Sequence, residues 1–438
     1  MKEPEHALVL GLGRSGRAAA RLLASEGVIV TAIDQGAVDW EHPGVQILAP
    51  SNELPDQAFD LAVVSPGIAV SGLWVTNLQA RGIPCVSELE LGWSRCRTRT
   101  LAITGSLGKS TLATFCHFCL EKAGRKTALA GNIGTPVCDV ALEAPDLDVL
   151  VLEVSSFQGE LLQAFHPEVA VLLNLVANHL DRHGDMQTYE AAKAAMFTRM
   201  GGGDVAILHE AVAPGFIDIV HSIEPASEPE WQTFGVSHQS GWTYDSGSVF
   251  HAGEESLSLR NSPFDNRVLG VNAAAALAAL VALGLTVDQV QDGLETFTGL
   301  PHRMQALGQK QGVRFINDSK STTLSSLVAG VSMIDGPVHL IAGGIVKEAN
   351  LDFVLSELAN RPLQIYLIGR DAERLYHAWS GEISCKVLNS LQDAVIASWH
   401  AAVKGETILL SPGCASFDQF ESFEHRGRCF MDCVENVS

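Results

Sequence analysis

An α/β fold with more than one domain is predicted by three features of the sequence. Short apolar runs alternate with helical stretches along the whole chain. Two Gly-rich turns each follow such a run and precede a helical pattern. The length, 438 residues, exceeds what one hydrophobic core supports and points to two or three domains.

The elements follow in order. Residues 7–10 read as a buried strand, and Gly11, Gly13 and Gly16 then form G-x-G-x-x-G. A helix over about 17–26 and a strand over 28–33 complete a βαβ unit whose last strand ends in Asp34, near the position of a ribose-binding acid. A strand over 61–64 ends in Ser65-Pro66-Gly67, and this first region closes near residue 92. The second begins near Arg99 with a strand over 100–103, the loop 104–110 and a helix. Strands over 149–152 and 169–173 continue it. Residues 204–267 are of mixed character and can hold strands, and an Ala-rich helix leads to a boundary near Gly299. The third region alternates strands over 313–316, 338–342, 364–368 and 407–410 with helical stretches. The chain has no short-period repeat and no low-complexity linker.

Composition excludes some partners. With 29 basic against 50 acidic residues the net charge is -21, a field that repels nucleic acid and anionic lipid. An anionic substrate must then be held by a few local cations, so single Lys and Arg residues in Gly/Ser-rich motifs are informative. Nine scattered cysteines, an odd number, suit a reducing compartment, which argues for the cytoplasm. Cys116 and Cys119 form C-x-x-C on the helix after the second Gly-rich turn, where core packing is expected over redox or zinc chemistry. Met1-Lys2-Glu3-Pro4-Glu5-His6 lacks a signal-peptide core. Residues 268–287 are uncharged and long enough to span a bilayer, but the Ala content, Asn272 and Thr286 favour a buried helix and no membrane partner.

Four motifs carry chemistry. In Thr104-Gly105-Ser106-Leu107-Gly108-Lys109-Ser110, backbone N–H groups and a helix N-terminus can cradle phosphates, with Lys109 on the β/γ-phosphates and the Ser110 hydroxyl facing Mg²⁺. The full G-x-x-x-x-G-K-[ST] pattern needs glycine where the chain has Ala102, so a simple Gly-rich strand–helix junction stays open. The first Gly-rich turn with Asp34 fits NAD first, then a nucleoside diphosphate, then simple close packing. Glu153 closes a strand beside the loop, a natural Mg²⁺ ligand or else a solvated strand-end acid. His179 and His183 are spaced for zinc on a helix, but no third soft ligand is near, which favours a lone His beside Mg²⁺ or a structural one.

These motifs, with Gly131-Asn132-Ile133-Gly134, Leu152-Glu153-Val154-Ser155-Ser156-Phe157-Gln158, Asn178-His179-Leu180-Asp181-Arg182-His183, Asn317-Asp318-Ser319-Lys320 and the segment 411–420, occur in the order seen in Mur ligases, which the chain resembles over its whole length. The resemblance implies a Rossmann-like UDP-sugar-binding domain over 1–92, a P-loop-type central ATPase domain over 93–298 and a Rossmann-like amino-acid-binding domain over 299–438. It reassigns the first Gly-rich turn from NAD to UDP. Ser15, Asp34, Ser65, Gly67, Asn132 and His179 would contact the UDP-sugar. Gly105, Ser106, Gly108, Lys109, Ser110, Thr111, Asn272, Arg303, Asp318 and Lys320 would serve ATP. Thr322, Lys347, Ser416 and Phe423 would grip the amino acid. Ser110, Glu153, His179 and a carbamylated Lys193 would hold Mg²⁺, two ions in all; without the family, Lys193 reads as an exposed helical lysine.

What the resemblance implies about chemistry is an ATP-dependent ligase joining D-glutamate to UDP-N-acetylmuramoyl-L-alanine through an acyl phosphate, as a monomer. Lys109, Glu153, His179 and Lys193 would be its catalytic set. The chain departs from the family pattern at Leu107, Gln35-Gly36, Val271, Ala275 and Thr323, none of which removes a charge the chemistry needs. Two other readings stand beside it: a nicotinamide-dependent oxidoreductase, and a degenerate relative that binds without turnover.

Overall fold

The computed structural model describes residues 4–437 apart from Pro145, His238 and Ser240, so Met1–Glu3 of the N-terminal segment lie outside the described residues. The chain is α/β throughout, with three sheets.

The first sheet is fully parallel. Its strands are β1 (His6–Leu10), β2 (Ile29–Ile33), β3 (Val45–Ile47), β4 (Leu61–Val64) and β5 (Cys85–Ser87), in the order β3-β2-β1-β4-β5. That is the Rossmann order, in which the chain reverses direction beside β1 and ligands bind off the strand C-termini. Helix α1 (Arg14–Ser25) covers one face through Ala18, Leu22 and Leu23. The other face is covered by α2 (Leu73–Ala80) through Trp74, Val75 and Leu78, and α3 (Glu88–Trp93) follows β5. Burial on both faces explains why β1 and β4 read as continuous apolar runs. Helix α1 begins three residues before the expected start. Gly13, extended, is its N-cap with no side-chain cap, so Ser15 and Gly16 lie in its first turn.

The second sheet has nine strands: β6 (Arg99–Thr104), β7 (Thr127–Gly131), β8 (Val149–Glu153), β9 (Val169–Leu172), β10 (Val205–His209), β11 (Glu230–Gly235), β12 (Trp242–Asp245), β13 (Ser248–His251) and β14 (Glu254–Ser258). The region of mixed character holds the last five, and only the β12–β13 and β13–β14 pairs are antiparallel, so β13 alone runs against the others. The phosphate-loop strand β6 lies between β8 and β9, deep in the sheet. The helices are α4 (Lys109–Lys122), α5 (Val137–Glu143), α6 (Ser156–Gly159), α7 (Leu180–His183), α8 (Met186–Ala194), α9 (Ala213–Ile223), α10 (Arg267–Ala282) and α11 (Val287–Thr296). The uncharged stretch expected as one helix is therefore split. Gly284 turns the chain with φ +91°, and Thr286 starts α11 with a capping box to Gln289. No helix among the described residues is long and apolar enough to cross a membrane. Cys116 and Cys119 are both fully buried on α4, as core residues.

These two sheets belong to one compact unit, residues 1–262 with 270–297. Their regions are tied together by α1, α3 and α5. Arg21 pairs with Asp139 through two bonds of 2.6 and 2.8 Å, and the Glu88 carboxylate accepts from the Cys138 amide at 2.7 Å.

The second compact unit, residues 263–269 with 298–438, carries the third sheet. Its strands are β15 (Gln305–Lys310), β16 (Val313–Asn317), β17 (Val338–Gly343), β18 (Leu363–Ile368), β19 (Ser384–Val387) and β20 (Thr407–Leu410), ordered β15-β16-β20-β17-β18-β19. All but β15 are parallel. Helices α12 (Leu324–Ser332), α13 (Phe353–Leu358), α14 (Ala372–Trp379), α15 (Leu391–Ala401) and α16 (Phe423–Asn436) cover its two faces. The C-terminal ends of β16, β20, β17 and β18 meet along one edge, where Asn317–Lys320, Ser411–Ser416 and Gly343–Lys347 emerge.

Candidate active site

The phosphate loop connects β6 to α4. Gly108 is the left-handed N-cap of α4, with φ +85°, and a Cβ there would stand 2.7 Å from the Asn272 amide nitrogen on α10. Glycine is required on both counts, and this is the structural reason Asn272 sits at the loop. The first N–H groups of α4 have no intrahelical acceptor and face an incoming anion. Asn174, just past β9, braces the loop: its Oδ1 accepts from the Ser106 and Leu107 amides at 3.1 and 2.9 Å, and its Nδ2 donates to the Leu107 carbonyl at 3.1 Å. Leu107 is thus held through its backbone, which makes its side-chain identity tolerable. Ser106 Oγ lies 2.9 Å from Tyr189 Oη on α8. Lys109 folds over its own loop, donating to the Gly105 and Ser106 carbonyls at 2.7 and 3.0 Å.

Around this loop the structure gathers Glu153, Asn132, Lys193, Ser110 and His179. Glu153, at the end of β8, is 1% exposed; its Oε1 accepts from Asn132 Nδ2 at 2.6 Å and its Oε2 is buried without a partner. An orphaned buried carboxylate oxygen costs about 1–3 kcal/mol or more, and with the Ser110 hydroxyl it makes a donor set that suits a hard cation such as Mg²⁺. Asn132 therefore orients Glu153, a role its expected contact with the UDP-sugar had not included.

Lys193 corrects the reading as an exposed helical lysine. It is 3% exposed on α8, and its Nζ donates to the Gly105 carbonyl at 2.9 Å and Thr104 Oγ1 at 3.3 Å, above the Tyr189 ring. Burial pushes its pKa well down, the Lys109 cation adds to that, and the Glu153 carboxylate opposes it. His179 has left-handed backbone, φ +55°, and caps α7. Its pKa is lowered by partial burial and then by the Lys109 cation, while one edge stays exposed. The His183 ring is buried, with Nε2 3.0 Å from Ser156 Oγ and Nδ1 3.3 Å from Glu160 Oε1.

At the first sheet, a Cβ on Gly16 would overlap the Gly11 carbonyl oxygen, so this glycine serves close packing of α1 on the turn. Asp34 is bound to the same turn: Oδ2 accepts from the Leu12 amide at 2.6 Å and Oδ1 from the Gly36 amide at 3.0 Å. Burial raises its pKa, but the Gly36, Leu12 and Gln35 amides outweigh that, and Asp34 stays ionised with a lowered pKa. Ser65 Oγ donates to the Gly11 carbonyl at 2.8 Å, while Gly67 is exposed and Ser15 half-buried.

In the second unit Asp318 is buried. It accepts from Ser411 Oγ at 2.8 Å and the Met304 amide at 3.1 Å. Burial lifts its pKa to about 7, against those two bonds and the Arg303 and Arg426 cations. Lys320 lies 4.0 Å over the Phe423 ring, which joins a residue expected to serve nucleotide with one expected to serve the amino acid. Thr323 caps α12 through the Ser326 amide, Thr322 precedes it half-buried, Lys347 is exposed and Ser416 buried. Sequence reasoning passed over Arg426, 1% exposed, which holds the Ser319 side chain and carbonyl at 3.0 and 2.8 Å and the Cys414 carbonyl at 3.0 Å.

A phosphate-loop α/β module in a chain that also carries two Rossmann-type sheets defines a nucleotide-binding enzyme. Comparison with known proteins narrows it. Residues 103–283 match the Mur ligase middle domain. The UDP-N-acetylmuramoylalanine–D-glutamate ligase of Nitratidesulfovibrio vulgaris is 35% identical over 99% of this chain and 96% of its own length. That of Shouchella clausii is 35% identical over 98% and 96%. Among solved structures, MurF from Thermotoga maritima in complex with ADP matches with a TM-score of 0.61 at 16% identity, over 99% of this chain and 95% of that one. MurF from Acinetobacter baumannii gives 0.62 at 17%, over 97% and 90%. The chain belongs to the Mur ligase family. The nicotinamide reading of the first Gly-rich turn is thereby overturned.

Proposed function

We propose that the chain is an ATP-dependent amide-bond-forming ligase that adds D-glutamate to UDP-N-acetylmuramoyl-L-alanine in peptidoglycan precursor synthesis. The observation that carries this is the 35% identity to UDP-N-acetylmuramoylalanine–D-glutamate ligases over essentially the full chain. The functional division runs at about residues 92 and 298: UDP-sugar at the first sheet, ATP at the second, amino acid at the third. A cytoplasmic location is supported by the nine scattered cysteines.

Two unit charges ~4 Å apart repel by about 4 kcal/mol at an effective dielectric near 20, so an acceptor carboxylate does not approach a γ-phosphate unaided. Lys109 and the α4 N-terminus offset that repulsion and hold the phosphates in line. The acceptor carboxylate oxygen bonds to the γ-phosphorus as the bond to the bridging oxygen of ADP breaks. The neutral amine of glutamate then attacks the acyl carbon, the C–O bond to phosphate breaks, and one amine proton leaves with the phosphate or to solvent. Mg²⁺, held by Ser110, Glu153, His179 and a carbamate on Lys193, would supply neutralising charge to the phosphates. Arg303, Asp318 and Lys320 would serve the nucleotide from the C-terminal domain.

The test is phosphate release with each substrate omitted in turn. Release is expected only with ATP, UDP-N-acetylmuramoyl-L-alanine and D-glutamate together; binding of the UDP compound without any release would favour the degenerate binder. A second result is expected of the amino-acid site. In a chain of net charge -21, a dicarboxylate needs a local cation, and Lys347 is exposed just past β17, where Ile345 pairs with Ala415. Lys347→Ala should raise the KM for D-glutamate at least tenfold, the scale of a lost charged hydrogen bond, and leave that for ATP nearly unchanged. Equal effects on both would assign Lys347 to domain closure.

A further inference from the structure

The segment Asn178–His183 contains a cation that the reaction scheme above does not use. Arg182 starts from α7, beside His179, and its guanidinium is 11% exposed. It makes four hydrogen bonds in two directions. Nη1 donates to the Pro66 carbonyl at 2.8 Å and Nη2 to the Ile68 carbonyl at 2.9 Å, gripping the loop after β4. Nε and Nη2 donate to the two Glu160 oxygens at 3.2 and 2.5 Å, fixing the fork beside α6. Its plane also lies 4.3 Å over the Phe157 ring. The Phe157 ring in turn meets the His179 imidazole edge to face, with centroids 4.9 Å apart. Backbone bonds close the circuit: the Arg182 and His183 amides both donate to the His179 carbonyl at 3.1 Å, holding the left-handed turn that φ +55° at His179 requires.

We infer that Arg182 is a positioning residue that keeps the loop 65–68 and His179 in one register, so that seating the sugar nucleotide and aligning the phosphoryl-transfer site are coupled. This rests on the reading of loop 65–68 as part of the UDP-sugar site. Only arginine fits the position. Two carbonyls and a bidentate carboxylate demand donors on every edge of a planar fork, and the face must still stack on a ring. Lysine keeps the charge but cannot fill that geometry. Phe157 is the separable half of the device, since it touches His179 and the guanidinium but is not among the bonds to Pro66 and Ile68.

The experiment uses full-length wild type, Arg182→Lys and Phe157→Leu, with steady-state kinetics and calorimetric binding of UDP. For Arg182→Lys we expect the KM for UDP-N-acetylmuramoyl-L-alanine to rise about tenfold, on the scale of lost charge-assisted bonds, UDP affinity to fall in parallel, kcat to fall severalfold with it, and the KM values for ATP and D-glutamate to stay within about twofold. For Phe157→Leu we expect kcat to fall severalfold with UDP affinity unchanged. If Arg182→Lys does not fold, Glu160→Gln loosens the same guanidinium and should shift the same two quantities in the same direction. Equal shifts in all three KM values, no shift in any, or wild type that binds no UDP would overturn the coupling. Wild type that binds UDP with the expected split between variants but never releases phosphate would instead overturn the ligase reading and leave the coupling standing.

Discussion

Lys109→Ala is expected to lower kcat by roughly 10²–10³-fold, the scale on which one preorganised charge on a transferring group acts. The Lys109 ammonium donates to the Gly105 and Ser106 carbonyls, with its charge already inside the loop. A β/γ-phosphate entering the loop exchanges two neutral acceptors for anionic ones, so little reorganisation is needed. The loop itself should survive the substitution, because Asn174 holds the Ser106 and Leu107 amides independently of Lys109. Binding of a non-hydrolysable ATP analogue should therefore weaken much less than turnover. Part of the loss is indirect: the Lys109 cation is one of the groups that lower the Lys193 pKa, so its removal makes the Lys193 amine easier to protonate. Lys109→Arg keeps the charge and separates the two effects. Near-normal phosphate release by Lys109→Ala would place the reacting phosphoryl elsewhere.

Much of this was legible in the residues because buried parallel strands announce themselves. β1, β4, β6, β8 and β20 are apolar on both faces, and each was anticipated to within a residue or two. The weak strands were not: β3 is three residues of partly exposed chain, and β11–β14 alternate irregularly at the sheet edge, without a periodic signal. The start of α1 was misplaced because an uncapped helix leaves no Ser, Thr, Asp or Asn before it; Gly13 caps it with backbone alone. The break between α10 and α11 is marked in the residues by Gly284 and the T-x-x-Q capping box at Thr286, inside a stretch whose lack of charge makes it look continuous. Among site residues, charge on a Gly-rich turn pointed to Lys109. Burial could not be read that way: Lys193 looks solvated in an Ala-rich stretch, and only the third dimension brings Thr104, Gly105 and Tyr189 around it. Asn174 and Arg182 act by bonding to backbone atoms far along the chain, for which no residue pattern exists.

Lys193→Ala is expected to abolish most activity while the protein still folds, and acetate to restore part of it. The argument begins from burial. A lysine 3% exposed, beside a second cation, holds its proton poorly; desolvation first and Lys109 second depress its pKa well below the ordinary 10.5, and Glu153 only partly opposes them. Carbamylation needs that neutral amine: the Lys193 nitrogen attacks the carbon of CO₂, a C–N bond forms and a proton leaves to solvent. The product is an anion where a neutral amine had been, next to Glu153, whose Oε2 is buried without a partner. That pair of carboxylate-like groups suits Mg²⁺ far better than an ammonium does. The sign of the pH effect on stability follows from the same shift. Between the depressed folded pKa and the ordinary value, the unfolded chain binds a proton that the folded chain does not, so stability rises with pH through that window and is lost as pH falls through the folded pKa. Lys193→Met should flatten that dependence relative to wild type. Three measurements decide the chemistry: initial rates of wild type and Lys193→Ala against added acetate, wild-type rate against bicarbonate, and intact mass without acid. We expect a loss of roughly 10²–10³-fold in the variant, partial recovery in acetate, bicarbonate-dependent wild-type turnover and a wild-type mass heavier by one CO₂. An unmodified lysine by mass together with bicarbonate-independent turnover, or full activity of Lys193→Ala without acetate, would leave Lys193 as a buried amine that holds the Gly105 carbonyl and nothing more.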